Sequence, residues 1–137
     1  MNLFALLGST LLLFAPQANS PISHDSLSNT FVTASQSVLD NALATDIAAD
    51  DDTFAAEMTL VKSSRDNLSS MASNDNEKDV TTNIDNLIFL ISSCHIQSHD
   101  PARVSPCQAR IRTSLNNLMT QINRHKSNGS WVAGPPA

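Results

Sequence analysis

Through the middle of the chain, apolar residues return every three or four positions, and polar clusters break the rhythm at only a few points. Leu27, Phe31, Ala34, Val38 and Ala42 form one row, flanked by Val32, Leu39, Leu43 and Ile47. That spacing predicts a helix over 27–47 with a wide apolar stripe and no internal Gly or Pro. The run "DIAADDDTF" interrupts the row. Its acids suit a helix start, where unpaired N–H groups and the helix dipole favour negative charge. A second helix is therefore expected from Thr53 to Ala72, with Phe54, Met58, Val61, Leu68 and Ala72 in its row. The alternative is one bent helix running through 50–52.

The cluster "SNDNEKD" ends that helix, and Asn74 followed by Glu77 has the form of a capping box opening a third. Val80, Ile84, Leu87, Ile88 and Ile91 carry it toward Ser93. The stretch "LIFLI" is apolar on all sides, so this helix is expected to be the most deeply buried. "SPCQ" then reads as a fourth start, with Ser105 as cap, Pro106 at the first helical position and Gln108 at the third. Ile111, Leu115, Leu118 and Ile122 follow, and Arg124, His125 and Lys126 place cations where the dipole favours them. Short links between helices favour antiparallel neighbours, so the expected fold class is all-α, a small antiparallel four-helix bundle with one inter-helix disulfide.

Both ends fall outside this rhythm. The apolar run from Leu3 to Ala15, closed by Ala18 and Ser20, has the form of a secretory signal peptide over 1–20, and is short for a stable membrane span. The bundle domain is then expected over 21–127, with "NGSWVAGPPA" as a flexible tail over 128–137. This reading makes the protein secreted and extracellular.

Secretion changes the meaning of the two cysteines. In the oxidising secretory pathway Cys94 and Cys107 are expected to pair, bridging a long connection between helices three and four and stabilising the fold by roughly 3 kcal/mol. Cys94, His95, His99 and Cys107 also supply the ligand types of a zinc site, but their spacing fits no finger or knuckle, and a cystine offers no thiolate to metal or substrate. Asp46, Asp50, Asp52 and Glu57 faintly mimic a calcium loop, yet Ala48 stands at a ligand position and Asp51 where the turn needs Gly. No metal and no cofactor are expected.

Charge is unevenly spread along the 137 residues, whose net charge is −5. Thirteen acids lie between Asp25 and Asp100 against only Lys62, Arg65 and Lys78, whereas the chain from Pro101 onward has five cations and no acid. Arg103, Arg110 and Arg124 share one heptad position beside the apolar seam, where they are expected to pair with acids of neighbouring helices. With one Trp and no Tyr, the chain lacks the dense basic face and stacking aromatics of a nucleic-acid binder.

No nucleophile elbow, P-loop, metalloprotease helix or dinucleotide fingerprint occurs, which points away from an enzyme. Two sequons, at Asn67 and Asn128, are candidate glycosylation sites on the secretory reading. The leading expectation is non-catalytic binding to an extracellular protein partner, as an effector, inhibitor or signalling ligand would do. The alternative is a carrier or surface-binding protein for lipid or other apolar ligands, since small residues such as Ala34 and Ala42 and the flexible Met58, Met71 and Met119 would let a cavity open.

Overall fold

Ser28, Asp50, Asn74 and Asp100 each accept a hydrogen bond from a backbone N–H two or three residues on, and these caps divide the chain into its helices. The structure is a computed structural model and describes residues 26–126. Four helices follow in order: α1 (Asn29–Leu43), α2 (Asp51–Met71), α3 (Asp75–Gln97) and α4 (Pro101–His125). Helices α1 and α2 are separate, because the Asp50 side chain caps α2 through Thr53. The expected signal segment over 1–20, the tail over 128–137 and Asn128 lie outside the described residues.

Contacts between neighbouring helices run in opposite directions, as an up-down-up-down bundle requires. Asn41 donates to Ser64 and the Asp46 N–H to Glu57, joining α1 and its following link to α2. Arg65 forks onto Asp85 at 2.6 and 2.8 Å, and Phe54 stacks on His95, joining α2 to α3. Asn83 meets Gln121 near one end of α3 while Cys94 meets Cys107 near the other. The core between the helices holds Leu27, Phe31, Val38, Val61, Leu68, Val80, Ile84, Leu87, Ile91 and Ile122. Each of these larger side chains contributes roughly 2 kcal/mol by leaving water.

Four expectations need correction. Helix α1 stops at Leu43; Ile47 is still buried, but from the link, while Leu43 is 65% exposed. Helix α4 begins at Pro101 under an Asp100 cap, so Ser105 is an exposed residue inside the helix and Pro106 lies in its second turn. "DP" at 100–101 carries the same cap-then-proline chemistry as "SP" at 105–106, and the earlier pair wins because α4 can then cover more of α3. The connection between α3 and α4 is consequently only residues 98–100, and both cysteines sit within helices. Helix α3 does carry more buried residues than the other three, but Phe89, inside "LIFLI", is 75% exposed, because a helix packed on two neighbours keeps an outward face whatever residue occupies it.

The expected pairing of the α4 cations also fails. Among the described residues Arg103 reaches only Asp100 of its own helix start, at 3.6 Å, and Arg110 is turned onto the cystine; Arg103, Arg110, Arg112 and Arg124 are all exposed. Besides the exposed Arg65–Asp85 pair, two buried ionisable residues of α3 hold the helices together. At its first turn Glu77, 2% exposed, accepts from Ser73 and from the Ser28 N–H that opens α1. Near its last turn, His95 takes up the corresponding role at the other end of the bundle.

Candidate functional site

The stretch with both cysteines and two histidines is built from the end of α3 and the start of α4. Cys94 and Cys107 face each other with Cα atoms 5.6 Å apart and are joined as a disulfide. Both are buried, and Arg110 Nη2 lies 2.9 Å from the Cys107 sulfur and 3.3 Å from Gln97 Oε1. The disulfide leaves no thiolate for nucleophilic attack or zinc. Among the described residues no group of three or more His, Cys, Asp and Glu side chains could hold a metal ion.

His95 points the other way, into the bundle, and is 8% exposed. Its Nδ1 lies 2.9 Å from the Ile47 carbonyl oxygen and its Nε2 2.7 Å from Asp51 Oδ1. The ring stacks on Phe54 with centroids 3.9 Å apart and planes 4° from parallel. Both nitrogens face acceptors, so both must donate, and only the imidazolium can do that. Burial opposes the charged ring, but the Ile47 carbonyl, the Asp51 hydrogen bond and the charges of Asp51 and Asp50 outweigh it and raise the His95 pKa above its ordinary value. His99, one turn on, is exposed, its ring centroid 6.1 Å from that of His95.

Sequence reasoning left His95 without a task, although a signal was present: it stands four residues after Ile91, in the phase of the α3 core row. The acids of the calcium-like window are likewise engaged in shaping the link. Asp46 Oδ1 accepts from the Ala48 N–H, Glu57 Oε1 accepts from the Asp46 N–H, and Asp50 caps α2. The Thr53 N–H and hydroxyl hold the Asp50 carboxyl below its usual range. Of the sequons, Asn67 lies on the exposed face of α2.

A partly apolar opening lies between the first helix and the last. Helix α1 packs along α2 and α3 along α4, but α1 and α4 touch over only a short stretch. Two recesses of about 310 and 320 Å³ occupy the gap and share Leu43, Arg112 and Leu115 in their walls. Together they form a trough floored by Leu39, Ile91, Ile111, Leu115 and Met119. Asp40 borders it on α1 and Arg112 on α4. Its far end is closed by Thr45, Asp46 and Ile47 of the link that His95 holds.

The fold and this geometry define a small all-α four-helix bundle with a trough between its terminal helices. Comparison with protein-family models, curated proteins and solved structures finds no match to the chain. Among the described residues, no helix is long and apolar enough to cross a membrane.

Proposed function

We propose that the protein acts by non-catalytic binding, receiving an amphipathic helical segment of an extracellular protein in the α1–α4 trough. The observation that carries this reading is the trough itself: an apolar floor open to solvent, with Leu43 exposed at its lip. A single amphipathic helix laid there would supply the apolar face that α1 and α4 do not supply to each other. Charge at the rims selects among such helices. Asp40 and Arg112 border opposite sides, so a segment with a cationic edge toward α1 and a carboxylate toward α4 is complementary.

The carrier reading is supported by a separate observation, the size of the recesses. Each falls at the lower end of the range that small apolar ligands occupy, roughly 300–1,000 Å³. The two readings separate in one experiment. A photo-crosslinking residue is placed at Leu43, and as a control at Lys62, exposed on α2. The protein is then exposed to extracellular fluid of its source and a native mass spectrum is recorded. Helix binding expects one discrete protein adduct at Leu43, absent at Lys62 and lost when Met119→Lys, at a half-buried wall residue, obstructs the trough. Equal adducts at both positions overturn it, and an extractable apolar mass without an adduct favours the carrier.

A further inference from the structure

The imidazole clasp and the trough meet at one residue. The Ile47 carbonyl takes the hydrogen bond from His95 Nδ1, and Ile47, with Thr45 and Asp46, forms the end wall of the trough. We infer that the protonation of His95 sets the position of the 44–50 link and so the shape of that end of the trough, making the binding surface proposed above responsive to pH.

The argument rests on what a neutral ring would face. Losing one proton leaves a lone pair against an oxygen, because the partners at Nδ1 and Nε2 are both acceptors here. The remaining N–H stays with the stronger acceptor, the Asp51 carboxylate, so the bond given up is the one to Ile47. Swinging the ring away to relieve the conflict would break its flat stacking on Phe54 and its bond to Asp51. The link can move instead. It has its own ties to α1 and α2, through Thr45 to the Asn41 carbonyl and through Asp46 to Glu57, and the Ile47 side chain is buried, but the hydrogen bond that joins the Ile47 backbone to α3 is the one from His95.

Acidic charges around the ring favour its protonated form. Asp51 and Asp50 act on it in this sense from the start of α2, whereas His99, in the connection after α3, only lies beside it. Asp46 and Glu57 are bonded within the link and to α2, and from α4 Arg110 is engaged by the cystine and Gln97.

The functional consequence rests on the trough being the binding surface; the coupling of ring to link does not, and the test reads the coupling in the free protein. With methyl-labelled full-length chain, the His95 ring and the methyls of Ile47, Ile91 and Ile111 are followed by NMR across the imidazole titration. The three methyls are expected to shift with the midpoint of His95, while those of Leu68 and Val80, outside the walls of the trough, stay unmoved. Asp51→Asn should lower all coupled midpoints together, by about one pH unit, and His95→Gln should flatten them. Trough methyls that stay flat while the ring titrates overturn the inference, as does a methyl midpoint that ignores Asp51→Asn. If the methyls respond but Leu43 captures nothing, the pH coupling stands and the proposed function falls.

Discussion

Glu77 and His95 stand at opposite ends of α3, one a buried anion and the other a buried cation, and each joins that helix to α1 or the link that follows it. Glu77 holds the start of α1 through the Ser28 N–H, and His95 holds the link after α1 through the Ile47 carbonyl. The pKa of Glu77 is lowered and that of His95 raised, which frames the behaviour of the fold in acid and base.

Stability is expected to be highest between the two titrations. Burial disfavours the Glu77 carboxylate, but hydrogen bonds from Ser28, Ser73 and Asn74 outweigh this and lower its pKa below the ordinary 4.5. Its contribution is therefore present above pH 4.5 and is lost as pH falls through the lower folded value. The His95 pKa is raised above 6.5, so its contribution is complete below that value and is lost as pH rises through the folded one. Urea unfolding across this range should give a plateau between pH 4.5 and 6.5. Glu77→Gln should flatten the acid limb and His95→Gln the alkaline limb.

The start of α4 is decided by which cap costs stability when removed. Asp100→Ala should cost about 1 kcal/mol, because its carboxylate accepts from the Ala102 N–H. Ser105→Ala, at an exposed position inside the helix, should stay within about 0.5 kcal/mol of the parent. Equal costs, measured by chemical denaturation, would contradict the observed helix start.

Reduction of the cystine should require unfolding. Both sulfurs are buried between α3 and α4, so a small thiol reductant has no path to them in the folded protein. Mass spectra taken in reductant should show the two-hydrogen gain rising steeply with urea and little change without it. The Cys94→Ser, Cys107→Ser double variant should lose roughly 3 kcal/mol.

Asn67 is expected to accept a glycan when the chain is made in a eukaryotic secretory host, since its side chain lies on the exposed face of α2. Asn67→Gln should remove one endoglycosidase-sensitive step in apparent mass. An unchanged mass in the parent chain would show that this sequon is not used.

The helices were legible because burial repeats at their period. Phe31, Val38, Met58, Val61, Ile84, Leu87, Leu115 and Ile122 are core residues in the rows that their spacing marks out. The disulfide was legible from the even pair of cysteines and the expected compartment, although its setting was not: the twelve residues between the cysteines read as a connecting loop, where the ends of two abutting helices stand. Competing caps were the hardest local feature, since "DP" and "SP" carry the same chemistry and only the packing against α3 separates them. Glu77 was legible only as part of a capping box with Asn74, and His95 not at all, because their wider roles lie in partners distant along the chain, Ser28 for one and Ile47 with Asp51 for the other. The trough was illegible for a similar reason. Leu39, Leu43, Ile111 and Leu115 have the spacing of packed residues, and nothing in that spacing says that α1 and α4 stand apart.

Because the trough is bordered by the first helix and the last, neither half of the chain contains it. The α1–α2 and α3–α4 hairpins can each form from contacts local in sequence, the second closed by its own cystine. The trough comes into being only when the two hairpins dock, so a ligand that occupied it, as proposed, would distinguish a chain that has finished folding from one that has only formed its helices.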